Sequence, residues 1–175
     1  MQEIVRGGVV MMPTAEEVKK KKVIVYYAHP KSHYDTDLEY DCFEFLNTAF
    51  GTYGEGMDIE IFNPNEPIIS RVYLNRKANN HPDRFEIFRE LARASDILVM
   101  TSFLDGAIGA GVAEEGKQSI LAGNKVFLLN FFDLGGNQVK SLSPVPPESL
   151  KEDGFEGLEV LTYEETVERL KNGIR

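Results

Sequence analysis

The residues with the clearest chemical potential lie in one stretch, Gly109-Ala110-Gly111-Val112-Ala113-Glu114-Glu115, continuing through Gly116 to Gly123-Asn124-Lys125-Val126. It reads as a Gly-rich turn leaving a buried strand, a helix with a carboxylate in its first turn, and a new strand after Gly123. Small residues at Gly109 and Gly111 leave room for a ligand to approach the backbone. A carboxylate in a first helical turn is favoured in its ionised form by the macrodipole. In a partly apolar site such a carboxylate, Glu115, can attack an electrophilic sugar carbon. The plainer alternative is that Glu114 and Glu115 simply favour a helix start.

Two further groups could serve that carboxylate. In Tyr26-Tyr27-Ala28-His29-Pro30, Tyr27 or His29 at a strand end could orient an acid or donate a proton. Tyr26, its side chain on the opposite face, reads as core. His33 and Tyr34 follow in a loop and read as surface residues. Asp105-Gly106 is a common turn signal, but it lies in the loop leading to Glu115, where Asp105 could meet a ligand. The spacing of Gly106, Gly109 and Gly111 matches neither a phosphate loop nor a dinucleotide fingerprint. Lys31, Arg71 and Arg76 could meet a phosphate, although lone loop cations are ordinarily solvated.

The elements that must hold these residues alternate. Residues 23–28 form a continuous apolar, β-branched and aromatic run, the pattern of a strand covered on both faces. Thr36 and Glu39 make a capping box for a helix over 36–50, with Leu38, Cys42, Phe45, Leu46 and Ala49 at helical spacing. A short strand covers 58–62. Residues 64–80 show no clear period and read as a long loop. Phe85, Phe88, Leu91 and Ala92 mark a second helix, and 96–101 and 125–131 two more buried strands. Residues 133–157, rich in Gly, Pro and Ser, are expected to wander over the surface before a weak strand at 158–161. Thr162 and Glu165 cap a last helix striped by Tyr163, Val167, Leu170 and Ile174. This order predicts an α/β three-layer sandwich with a mostly parallel, flavodoxin- or Rossmann-like sheet. In such sheets the ligand sits beyond the carboxyl ends of the strands.

Composition narrows the partners. The 19 basic and 28 acidic residues give a net charge of −9, which argues against a nucleic-acid grip through phosphates. A single nucleotide remains acceptable, since a helix start can hold one phosphate. Cys42 is the only cysteine, so neither an intrachain disulfide nor a Cys zinc cluster is available. No apolar run approaches a membrane span. The lysines at 19–22 follow polar residues rather than precede an apolar segment, so a cytoplasmic location is the expectation. Residues 1–21 read as an extension and 22–175 as one domain.

Together these segments resemble the nucleoside 2-deoxyribosyltransferase family, including its nucleotide N-glycosidase relatives, over residues 22–131. Val25-Tyr26-Tyr27-Ala28-His29-Pro30 resembles the family's first strand and its Y-x-A-x-P-type end. Ala94-Ser95-Asp96-Ile97-Leu98-Val99 is similar to its strand entry, and Leu104-Asp105-Gly106 to its L-D-G. The strongest likeness is G-[TV]-A-x-E followed eight residues later by Gly, here Gly111 to Glu115 and then Gly123. The resemblance implies that Glu115 attacks the anomeric carbon of a nucleoside or nucleotide, forming a glycosyl-enzyme that water or a second base releases. It implies Tyr27, His29, Gly109 and Gly111 at the substrate, Asp105 at the base, no metal or organic cofactor, and a homo-oligomer.

Three positions depart from the family. Phe88 stands where it has an Asp beside the sugar, Gly109 where it has Asp or Ser, and Lys117 where it has Gly. Asp83 and Glu86 are candidate substitutes for the missing acid. The Phe88 departure favours hydrolysis or binding over base exchange. A non-catalytic nucleotide-binding or sensor module is the alternative reading. A flavodoxin-like protein of unrelated chemistry, which a flavin would turn yellow, is another.

Overall fold

The computed structural model describes residues 22–53, 57–81 and 83–173. The expected N-terminal extension lies outside them. Five strands form one sheet: β1 (Lys22–Ala28), β2 (Asp58–Phe62), β3 (Ile97–Thr101), β4 (Lys125–Leu134) and β5 (Asn137–Val145), in the order β2-β1-β3-β4-β5. The first four are mutually parallel, and β5 runs antiparallel to β4 at the edge. The chain is therefore α/β with a mostly parallel, mixed sheet.

The β1 run is buried on both faces because its alternate residues join different cores. Tyr26 and Ala28 pack with Leu98, Met100, Val112 and Ala113 on one side. Val25 and Tyr27 pack with Cys42, Leu46, Val99 and Leu129 on the other. Helix α1 (Asp37–Tyr53) covers the second face. Helices α3 (Glu86–Ala94) and α4 (Ala110–Leu121) cover the first. Asp96 fastens the far end: its carboxylate accepts from the Ile24 N–H at 2.8 Å, while its own N–H donates to Ile24 O. The chain leaves β1 toward β2 and leaves β3 toward β4, so successive connections diverge between β1 and β3. A crevice for a ligand opens at such a point, beyond the strand ends.

Three expectations change here. The predicted loop over 64–80 contains helix α2 (Pro67–Ala78), with Pro67 in its first turn. Only Ile69 of this helix is buried, so its sequence carries no apolar stripe. The predicted wandering segment contains β5, joined to β4 through Gly135 and Gly136 at φ 66° and 86°. That Gly-Gly pair supplies the two left-handed residues of a tight hairpin. A second, two-residue hairpin follows, β6 (Leu150–Lys151) with β7 (Gly154–Phe155). The weak strand at 158–161 reduces to one parallel bridge, Ile108 to Val160.

The last helix, α5 (Tyr163–Lys171), starts as its sequence predicts. Glu165 N–H donates to Thr162 Oγ1 at 3.2 Å, and Thr162 N–H to Glu165 Oε2 at 2.8 Å. No helix among the described residues is long and apolar enough to cross a membrane.

Candidate functional site around Glu115

Helix α4 brings Glu115 to the sheet, and glycine sets the distance. A Cβ placed on Gly116 would overlap Met100 Sδ and lie 3.1 Å from Met100 Cγ and 3.3 Å from Phe155 Cζ. With no side chain there, α4 settles onto β3 beside Glu115. The helix ends on Gly123 at φ 83°, whose N–H donates to Ile120 O while Asn124 N–H reaches Ser119 O, closing a Schellman cap.

At its start, α4 differs from expectation. Gly109 is the N-cap, so Glu115 lies in the second turn rather than the first. The Ala110 N–H donates to Thr166 Oγ1 of α5 at 3.0 Å, and a Cβ on Gly109 would meet Thr166 Cγ2 at 3.3 Å. The room that Gly109 leaves is thus filled by α5. Gly111 is exposed, with open space where its Cβ would be.

Glu115 retains some surface, yet burial pushes its carboxyl up to about 8. The Tyr26 hydroxyl and the Arg89 guanidinium pull it back only in part. The helix dipole acts mainly within the first turn, so the expectation of an ionised Glu115 yields to desolvation. The group is mostly protonated at neutral pH. Tyr26 is core by its ring, 1% exposed, while its hydroxyl lies beside the acid without completing a regular hydrogen bond. Tyr34, read in the sequence as a surface residue, is half-buried and feels both Glu115 and Glu39.

Across the sheet, His29 packs on Tyr27 with centroids 4.3 Å apart and the rings tilted by 31°, and lies 4.9 Å from Tyr34. Its Nε2 is 3.0 Å from Asn63 Oδ1 and 3.4 Å from Glu39 Oε1, so this nitrogen is placed as a donor. Glu39 Oε1 also accepts from Asn63 Nδ2 at 2.7 Å, and Oε2 from Asp35 N–H at 2.6 Å and Asn65 Nδ2 at 3.3 Å. Burial would raise this acid, but the His29, Asn63 and Asp35 donors outweigh it and hold it at about 2. The predicted first capping box is therefore half made: Thr36 Oγ1 accepts from Glu39 N–H at 3.3 Å, while the Glu39 carboxylate serves Asp35 and Asn63 instead. A cleft of about 540 Å³ opens here, lined by Asp35, Asp37, Glu39, Tyr40, Asn63 and Glu66 among others. Tyr27 has its hydroxyl near Cys42 and Thr101, on the opposite face of β1 from Tyr26.

No protein-family model matches the chain, and no curated protein matches it.

The remaining sequence candidates have partners of their own. Asp105 is exposed and ion-paired with Arg169 of α5, and accepts from the Ala107 N–H at 3.2 Å. Partial burial opposes ionisation of Asp105, but these bonds prevail and hold it below the ordinary range. Asp83 pairs with Arg89, and Glu86 with Arg89 at 2.8 Å and with Arg93. Phe88 packs on Tyr73 with centroids 5.6 Å apart. Lys31 and Arg71 are exposed, and Arg76 meets Glu90 at 3.4 Å.

The structure thus gathers Tyr26, Tyr34 and Arg89 around Glu115, and places Tyr27 and His29 with Glu39 and Asn63. Arg89 escapes sequence reasoning because nothing in the chain marks the α3 face that meets α4. The one available pointer is its position directly after Phe88.

Proposed function

We propose that the protein cleaves, or transfers at, the N-glycosidic bond of a nucleoside or nucleotide through Glu115, on a three-layer flavodoxin- or Rossmann-like fold. The observation that carries this reading is a half-buried carboxyl, raised by desolvation, beside the buried Tyr26 hydroxyl near the carboxyl end of β1. A carboxyl is the group that a retaining mechanism uses as its nucleophile. The sequence likeness around Gly111 to Glu115 supports the same choice.

In this reading Glu115 attacks C1′ and the base departs. Tyr26 stabilises the carboxyl oxygens as charge shifts, acting from a site that excludes water. The His29–Glu39–Asn63 network fixes the loop after β1, and with it Tyr34, on the other flank. Water or a second base then attacks the glycosyl-enzyme. The reading carries with it a cytoplasmic homo-oligomer that acts on small molecules, without nucleic acid, membrane, metal or organic cofactor.

One observation favours a second reading, a non-catalytic nucleotide-binding module. Phe88 contributes a ring against Tyr73, where the resembled family has an acid. Incubation with a panel of nucleosides and 5′-monophosphates, followed by chromatography for free base, separates the two. Base release supports the glycosidic reading. Saturable binding with no release supports the module.

A further inference from the structure

We propose that Glu115 supplies both the oxygen that bonds to C1′ and the proton that leaves with the base, so that no second acid is needed. This rests on the glycosidic reading above. The geometry that points to it is the engagement of the neighbouring acids. Asp83 pairs with Arg89, and Glu86 with Arg89 and Arg93. Asp105 pairs with Arg169, and Glu39 is bound by Asn63, Asn65 and the Asp35 N–H. Glu114 takes a hydrogen bond from Gln118 Nε2 at 2.9 Å, and Gln118 Oε1 accepts from Arg93 at 3.0 Å. Among the described residues, no cation lies within ion-pair distance of Glu115.

Helix α3 explains why. It packs against α4 and carries Arg89 and Arg93 one turn apart. Arg93 reaches Gln118 across the interface, and Arg89 is one turn nearer the level of Glu115. Both guanidinium groups there are ion-paired with Asp83 and Glu86, so neither is in reserve to balance a charge on Glu115. Ionising Glu115 would leave one uncompensated negative charge where desolvation opposes it. The other titratable groups facing Glu115 are Tyr26 of β1 and Tyr34 beyond it, both held neutral by burial. The direction found for Glu115 itself agrees with this arrangement.

The chemistry balances. The C1′–N bond breaks with its electron pair on the base. One carboxyl oxygen of Glu115 forms the C1′–O bond, while the proton on the carboxyl passes to a nitrogen of the base. A neutral acid and a neutral nucleoside become a neutral glycosyl ester and a neutral base. Water then bonds to C1′, the ester C1′–O bond breaks, and a water proton returns to Glu115. The cycle closes with the acid as it began.

The test uses a leaving group that needs no proton. The ribosides and 2-deoxyribosides of adenine and of nicotinamide, with or without a 5′-phosphate, are followed in single turnovers from pH 6 to 9.5, with spontaneous release subtracted. The pyridinium ring of the nicotinamide nucleoside carries a positive charge, has no ring proton to lose, and departs neutral. Release of adenine is expected to fall above pH 8, approaching about tenfold per pH unit. Release of nicotinamide is expected to rise with pH and level off. Rising rates for both would overturn the proposal, because a separate acid would then serve adenine.

Infrared difference spectra, parent minus Glu115→Gln, read the carboxyl without turnover. A protonated carboxyl band at pH 7 is expected, and it should vanish at lower pH in Asp83→Asn/Glu86→Gln, where Arg89 is freed. Absence of the band at pH 7 overturns the proposal even where base is released. A band with no release from any substrate overturns the glycosidic reading beneath it.

Discussion

Two carboxyls flank the end of β1 and are driven in opposite directions. Glu39, 7% exposed, is held at about 2, and Glu115 is pushed up to about 8. Both suffer desolvation as their largest influence, and Tyr34 feels both. The difference is the supply of donors. Glu39 is met by the His29 ring, two asparagine amides and a backbone N–H, whereas Glu115 has beside it one tyrosine hydroxyl short of a regular hydrogen bond and feels only the field of an arginine already paired with two acids. Burial alone therefore does not set the character of an acid, because the donors within reach decide whether the charge persists. A carboxylate whose bonds are all made holds a loop in place. One kept protonated with few bonds retains the capacity to react.

The sharpest way to break this comparison is to replace each acid by its amide. Glu115→Gln is expected to lower base release at least about a hundredfold, as loss of a nucleophile does. The fold should survive, with a melting temperature at pH 8 equal to or above that of the parent. The sign follows from linkage. An acid whose folded value is raised from 4.5 to about 8 holds its proton longer in the folded state, so the parent loses stability as pH rises through that window. The amide removes that slope. A strongly destabilised Gln variant, measured by thermal melts, would make Glu115 structural.

Glu39→Gln should do the reverse, costing about 2–4 kcal/mol of stability by turning a donor toward donors in a buried network. Any change in base release should be small beside that of Glu115→Gln. Its linkage also has the opposite sign. The folded value is depressed from 4.5 to about 2, so the contribution is present above 4.5 and is lost as pH falls toward 2. Urea titrations at pH 7 and pH 3 read it directly, and the gap between parent and variant should narrow at pH 3. A constant gap would remove the charge from the explanation.

These two acids were unequally legible in the sequence. Glu115 stands out because the glycines around it mark a strand-to-helix turn, and Gly116 and Gly123 prove to have steric reasons for being glycine. Its charge state was not legible, since it depends on α3 and on the depth of burial rather than on its place along α4. Glu39 looks like half of a capping box, and only the fold shows its side chain diverted to Asn63, 24 residues away. The parallel strands were readable because both their faces are buried. Helix α2 and the edge strand β5 were not, as α2 buries only Ile69 and much of β5 is exposed. Single-sided or weak burial leaves little periodic signal.

A finer probe separates the two faces of β1. Tyr26→Phe removes the hydroxyl beside Glu115 and should slow base release about tenfold, the scale of one neutral hydrogen bond. Tyr27→Phe removes a hydroxyl from the Cys42 and Thr101 side and should change release less than about threefold on the same scale. This reverses the order that strand alternation and the position of His29 lead one to expect, since Tyr27 shares the face of His29. Steady-state rates for the two variants decide it: equal losses would mean that the reacting sugar lies over β1 itself and feels both faces.

The smallest effect is expected at a third carboxyl, Asp105, which tests whether ion pairing outside the buried region has any part in the chemistry. Its side chain is 52% exposed, and the partner Arg169 is 21% exposed. Exposed pairs of this kind contribute about 0–1 kcal/mol, because water already solvates both charges and two long side chains must be ordered. The pair links the loop before α4 to α5, the same helix whose Thr166 accepts from the Ala110 N–H. Its natural effect is thus on how firmly α5 covers the start of α4, where a Cβ on Gly109 would meet Thr166 Cγ2 at 3.3 Å. Asp105→Asn keeps the shape and the acceptor for the Ala107 N–H while deleting the charge. Base release should stay within about twofold of the parent, since an uncoupled surface pair shifts free energies by a few tenths of a kcal/mol. A loss comparable to that of Tyr26→Phe would place a second acid at the leaving base, and Glu115 would then need only to attack.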